Sequence, residues 1–531
     1  MKKTLLIFIL LTCASMSGCA NIPALAPPTP TPTEADELIE WLDPLAEETP
    51  DRAVTNLNPM FTVRWDSGDT MNPLTSKGEN NLLLSGLMYE GLFRVNPDYT
   101  WESVLCDTWS TNDGINWSFR IKSGIAAHDG SELGLFDVIG SINAARSDGR
   151  FSDRLSVINK VGAANGAVTI SLTRVDYEFP ARLDIPIMKD GSIYRAVPIG
   201  SGPYAYNADG GYLELFAGHR DAQDMPVDRI YLADVSRDSL IPSFDSGFID
   251  VVIENRGDIG APEYNSGAER RPYLVPALHF IGFNSWRNWG SELARRQAIS
   301  LVIDREALID AEFPDYQAAY AALPEECPYY DANVAANAKA LSSQSAADIL
   351  LAAGIGDYDG DGQLEYLNAD NIAQECVLSF IVHSGNLKKV NAAKNIAEQL
   401  RELGFSINFI ELSWEDFNAR LNAGNYDLFY GSIEFTADWS MLPLLDDRGA
   451  ARFGGYDSHL DVLATDFLAA RLGEEKAAAA SLLLNGIADS VPFSPLVFER
   501  AALISGRGTV MGANPTSRDP FYNFKDWEIS S

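Results

Sequence analysis

The chain has 531 residues, with 74 acidic against 40 basic side chains and a formal net charge of −34. Acids spread along the whole chain exclude nucleic acid as a partner, because Lys and Arg must neutralise phosphates there, and they suit an extracytoplasmic surface and cationic ligands. The length allows two or three domains with ample core.

Lys2 and Lys3, the apolar run Leu5 to Leu11 and the small-residue approach Met16-Ser17-Gly18 to Cys19 have the order of a secretory signal. The apolar stretch is far shorter than the roughly 20 residues of a membrane-spanning helix. Met16-Ser17-Gly18-Cys19 resembles a bacterial lipobox, with Met16 where that pattern prefers Leu. The resemblance implies removal of residues 1–18 and lipidation of Cys19. An ordinary signal, with Cys19 as a bystander, is the alternative. Ala20 to Glu34 is rich in Pro and Thr, a solvated spacer. A short amphipathic piece follows (Leu38, Ile39, Trp41, Leu42), so residues 19–55 link the anchor to a folded body expected from Asn56.

In the body, Met60 to Trp65 alternates as a strand, and Asn81 to Phe93 has a helical pattern. Thr108 to Ile125 alternates around the Asp113-Gly114 turn as a hairpin, and Leu135 to Ala145 is helical. Val168 to Leu172 is a strand, and Pro198 to Tyr204 a compact loop. Ile230 to Ile253 reads strand, helix, strand, a βαβ unit. His279 to Asn284 is a buried-type strand, followed by a helix from Leu293 to Ile303 continued through Asp304 and Arg305. Helices over Ala332 to Gly354, Ala392 to Leu403 and Trp414 to Leu421 alternate with strands Val377 to Val382 and Phe405 to Ile410, which makes a second α/β lobe. The segment from Val491 is expected to rejoin the first lobe.

Motifs for catalysis are missing from the sequence. The histidines, His128, His219, His279, His383 and His459, show no metal-ligand spacing, and neither a nucleophile elbow nor a phosphate-binding loop occurs. Among so many carboxylates some pair always lies close, which keeps an acidic secreted hydrolase as an alternative. Beyond Cys13 and Cys19, the cysteines are Cys106, Cys327 and Cys376. A Cys327–Cys376 bridge and free buried thiols are both open. Asp357, Asp359, Asp361, Gly362 and Glu365 follow the spacing of a calcium loop, but position twelve is Asn368 where a bidentate Glu is wanted. The readings are a structural calcium site or an acidic solvated turn. Otherwise no cofactor is expected. Tyr426 to Trp439 reads as a strand entering a polar turn, where Glu434, Asp438 and Trp439 suit an ammonium group by ion pairing and a π face. The competing reading is an acidic loop with Trp439 packed in the core.

Short motifs recur in a family order: Asn72-Pro73-Leu74, Leu87 to Leu92, Thr108-Trp109-Ser110, Phe119 to Gly124, His128-Asp129-Gly130, Leu183 to Pro186, Gly200 to Tyr204, Gly282-Phe283-Asn284, and Arg296-Gln297-Ala298 with Ile303-Asp304-Arg305. In this order they resemble the extracytoplasmic solute-binding proteins of peptide and nickel ABC importers, the oligopeptide- and dipeptide-binding family 5. The resemblance implies an α/β, two-lobed periplasmic-binding-protein-like fold (class II type) with an extra subdomain in the first lobe. Lobe I is then 56–276, with the subdomain at about 79–184, lobe II is 277–487, and 488–531 returns to lobe I. It also implies a monomer that is not an enzyme, closes on a peptide or small solute and delivers it to an ABC permease and ATPase complex. A receptor that senses the same ligands is the other reading. In peptide binders of the family an aspartate meets the ligand's amino terminus, and Asp438-Trp439 is the matching position, although Ser432 replaces a Trp and the downstream Asp-Pro is missing. Trp65, Tyr89 and Glu90 are first-lobe candidates by position.

Overall fold

Two strands far longer than their neighbours organise the computed structural model, which describes residues 60–147, 149–253, 267–287, 289–368 and 370–530. The described residues belong to one compact unit, Asn56–Ser531. Cys19, the signal, the spacer and the amphipathic piece lie outside the described residues. The principal strands are β1 (Phe61–Trp65), β2 (Cys106–Thr111), β3 (Asn116–Ile121), β4 (Ile158–Ala164), β5 (Ala167–Leu172), β6 (Tyr204–Asn207), β7 (Tyr212–Leu215), β8 (Arg229–Asp234), β9 (Val251–Ile253), β10 (Ala268–Phe283), β11 (Val377–His383), β12 (Ser406–Leu412), β13 (Leu428–Glu434) and β14 (Phe493–Gly506).

One mixed sheet runs in the order β12-β11-β13-β10-β14-β9-β1-β8-β7-β6, with Gln317–Ala318 added beside β14. β10 and β14 are antiparallel and serve both lobes: their first-lobe halves pair Ala268 with Gly506, and the other end of β10 pairs Phe283 with Leu428 of β13. Between Leu274 and Leu278 the β10–β14 register slips. Pro276 lies in that gap, and a proline has no ladder N–H to give. Here Phe435 N–H donates to the Pro276 carbonyl at 2.7 Å, so the chain leaving β13 covers the irregular point.

The first lobe is built on β1, which pairs parallel with β8 and with β9; the helix Leu240–Asp245 between those two makes the expected crossover. Strands β2 to β5 form a separate four-stranded sheet in the order β2-β3-β5-β4, with its hairpin turning at Gly114, φ +67°. The second lobe has parallel β11 and β12, the helix Leu387–Glu402 between them, and apolar cores on both sides of the sheet. The architecture is two-lobed α/β.

Several local expectations change, among them the helix over Ala332 to Gly354, which is two, Ala332–Ser342 and Ala346–Ala352. Asn81 to Phe93 is not one helix but two short ones, Glu79–Leu83 and Ser85–Met88, and the second stops at Met88, where the carbonyls of Met88 and Glu90 are taken by Gly202 N–H (3.0 Å) and Ile187 N–H (2.9 Å). The helix from Leu293 ends at Val302, and Asp304 caps a new one, Arg305–Glu312, by accepting from Ala307 N–H. The strand around His279 extends back to Ala268.

Candidate functional site

One short first-lobe segment carries the buried charged contacts described between the lobes. Asp176, Glu178, Arg182 and Asp184 flank or occupy the helical turn Phe179–Leu183, whose Phe179 and Leu183 sit in the first-lobe core. Arg182 is turned the other way and is 2% exposed. Its Nε donates to Asp438 Oδ2 at 3.0 Å, its Nη2 donates to the same oxygen, and its Nη1 donates to the Arg154 carbonyl at 2.8 Å. Asp176 lies 3.3 Å from Arg182 Nε, and Arg154 pairs with Asp184 at 2.8 Å. Four residues before Arg182 a second ion pair joins the lobes with the signs exchanged: Glu178 Oε2 is 3.2 Å from Lys476 Nζ. Tyr329 OH donates to the other Glu178 oxygen at 2.6 Å, and Lys476 lies 4.0 Å from the Phe467 ring centroid.

The electrostatics follow from burial. Burial alone would raise the Asp438 carboxyl, but the Arg182 guanidinium, the Thr436 hydroxyl on Oδ1 and the Lys476 charge outweigh it and hold it below the usual range. Asp176, buried beside that carboxylate, is pushed up by burial and by the Asp438 charge. Burial also lifts Glu178, to about 7, against the pull of Lys476 and Tyr329.

β13 leads into this turn. Glu434, its last residue, is exposed and 3.9 Å from Arg518, whereas Asp438 and Trp439 are fully buried. Trp439 has φ +55°, a left-handed conformation that costs a bulky residue about 1–2 kcal/mol. Its ring faces Tyr99, another left-handed residue (φ +59°), with centroids 4.9 Å apart. Tyr99 OH donates to the Leu274 carbonyl at 3.0 Å, where the long-strand register slips. Trp439 Nε1 and Ser440 Oγ have no hydrogen-bond partner. Strain and unsatisfied donors thus gather at the lobe junction, where an incoming acceptor is favoured.

The structure brings Asp438 and Trp439 to the junction and leaves Glu434 at its rim. The first-lobe candidates go elsewhere. Trp65, at the end of β1, packs against Tyr206 at 5.8 Å. Tyr89 is buried with its hydroxyl 3.2 Å from the carbonyl oxygens of Met71 and Pro198. Glu90 is buried too, accepting from Ser201 Oγ at 3.0 Å and from Arg220, beside His219. Burial would raise its carboxyl, but the His219 and Arg220 contacts outweigh it and hold it below the usual range. Both residues pin the Gly200-Ser201-Gly202 loop. Arg182, Glu178 and Lys476 carry no local sequence signal; their burial, with Lys476 at 0% exposure, shows in the structure alone.

The other candidate sites lie away from the junction segment. The oxygens of Asp357, Asp359, Asp361 and Glu365 lie within 4.8 Å of one another, a set that can hold a cation. Asn368 Oδ1 instead accepts from Asp370 and Ile372 N–H at 2.9 Å, closing its own turn, so Glu365 is the fourth carboxylate. The Cys327–Cys376 bridge is not formed. The two residues sit in different apolar cores on opposite sides of the second-lobe sheet and, like Cys106, are free buried thiols. Burial pushes the Cys106 and Cys376 thiols up to about 12. Near the long-strand irregularity, His279 bridges Tyr430 OH (2.6 Å, Nδ1) and Glu499 (2.7 Å, Nε2), tying β10, β13 and β14 together.

The middle region that defines the bacterial extracellular solute-binding proteins, family 5, matches residues 100–448, more than half of the chain. The chain belongs to this family. Among family 5 relatives, the oligopeptide-binding protein AppA of Bacillus subtilis is 22% identical over 385 residues, 67% of this chain and 69% of its own. The glutathione-binding protein GsiB of Escherichia coli is 20% identical over 285 residues, about half of either chain at 49% and 52%. Of solved structures, AppA from Bacillus subtilis in complex with a nonapeptide superposes with a TM-score of 0.60 at 17% identity, covering 90% of this chain and 100% of that one. The unliganded open form of the periplasmic murein tripeptide binding protein MppA gives 0.71 at 14% identity, over 90% and 98%. These structures share the two-lobed fold, so the chain is a family 5 solute-binding protein in architecture as well as in sequence.

Proposed function

We propose that the chain is the lipid-anchored receptor of an ABC importer, which captures a short peptide between its lobes and hands it to the permease and ATPase complex. The observation that carries the ligand class is Asp438: a carboxylate held ionised at the lobe junction, in the turn after β13, beside a strained tryptophan. An ammonium group about 4 Å from such a carboxylate gains about 4 kcal/mol at an effective dielectric of about 20. The family and the peptide-binding relatives support this reading. Cys19, carrying the lipid, supplies the tether, and the receptor acts as a monomer without chemistry on its ligand. The experiment is mass spectrometry of ligand released from the purified, denatured protein. A co-purifying peptide mixture supports the reading; a metal chelate or a sugar as the sole ligand overturns it. The Asp357–Glu365 carboxylates we assign to structural calcium, on the donor set alone.

A further inference from the structure

The two ion pairs at the junction have opposite polarity and come from one segment. Seen from the second lobe, Asp438 meets a cation and Lys476 meets an anion, supplied by Arg182 and Glu178. These second-lobe groups are electrostatic neighbours, since the Lys476 charge helps to hold Asp438 ionised. A cation and an anion a few residues apart are what a short peptide with free ends also presents. We propose that Glu178 and Arg182 are an internal stand-in for such a ligand, and that a zwitterionic peptide binds by displacing them, its amino end taken by Asp438 and its carboxylate by Lys476. The inference rests on the peptide-receptor reading above.

Three features make the internal contact exchangeable. Arg182 is well satisfied, but Lys476 Nζ and Glu178 Oε2, although 3.2 Å apart, make no hydrogen bond of good geometry with any partner. A buried pair offsets its desolvation only when the remaining lone pairs and protons are satisfied. Asp176 is a second carboxylate on the same guanidinium, buried at 0% exposure, so the stand-in carries a repulsion that a ligand amine on Asp438 would not bring. Trp439 Nε1 and Ser440 Oγ, adjoining Asp438, are donors awaiting an acceptor, and a peptide backbone supplies carbonyls.

The test uses the mature chain and trialanine with free ends, its N-acetylated form and its C-amidated form, followed by calorimetry. Arg182→Met is expected to bind the free-ended peptide about tenfold more tightly than the parent, because the competing internal contact is weakened. Asp438→Asn is expected to erase the preference for a free amine, and Lys476→Met the preference for a free carboxylate. Small-angle scattering gives a readout that needs no ligand: the unliganded parent stays compact, and Arg182→Met expands. Should Arg182→Met fail to fold, Arg182→Lys keeps the charge but loses the fork, and an affinity gain of about threefold is expected. Unchanged affinity and scattering in folded variants that still bind trialanine would overturn the stand-in and leave the peptide reading intact. If no form of the peptide binds any variant, and nothing peptidic co-purifies, both fall.

Discussion

At the scale of single residues, the burial of Glu178 couples folding to pH. Its carboxyl is raised from 4.5 to about 7 by burial, so the folded protein keeps a proton that the unfolded chain releases between those values. The stabilisation is therefore complete below about pH 4.5 and lost as pH rises to about 7, a difference of about 3 kcal/mol. Urea unfolding of the parent and of Glu178→Gln at pH 5 and pH 8 isolates this term: the variant should gain about 2–3 kcal/mol on the parent as the pH is raised. A difference independent of pH would show that Glu178 is not titrating. The place of Asp438 and Trp439, in a turn after a strand, was legible in the sequence. Their partners were not, because the Arg182–Asp438 contact spans 256 residues and no local pattern announces which arginine will be buried.

At the scale of elements, the Gly200–Gly202 loop shows how a short motif encodes a close approach. A Cβ on Gly202 would meet the Met88 carbonyl carbon at 2.5 Å and the Leu87 oxygen at 2.7 Å, all backbone that cannot swing aside. Gly202→Ala is expected to destabilise the fold by about 3 kcal/mol in chemical denaturation. The Asp357–Glu365 loop gives a second test. If it takes calcium, millimolar calcium raises the melting temperature of the parent and leaves Asp359→Asn unmoved, and a parent indifferent to calcium removes the assignment. Alternating strands such as β5 and the crossover β8–helix–β9 could be read from their hydrophobic period. The full length of β10 could not, since Glu269, Arg270, Arg271 and Pro272 carry no strand signal and take up the strand through their pairing with Ser505 to Ala502.

At the scale of the whole molecule, the proposed tether and the described body are expected to act separately. Cys19→Ala is expected to leave the protein unprocessed or to release it from the membrane, as fractionation would show, while the purified body keeps its peptide affinity. Loss of affinity in that body would mean that the anchor does more than hold the receptor near its permease.

The same topology also bears on export. β14 is the bridge between β9 of the first lobe and β10, yet it is encoded long after both. A chain crossing a membrane from its amino end presents β1, β8 and β9 well before the strand that joins their sheet to the rest. Native pairing over such sequence separation is slow to form, so the first-lobe sheet stays incomplete until residues 493–506 arrive. For a chain exported as proposed, the order of the strands delays completion of the first-lobe sheet until both lobes have been made.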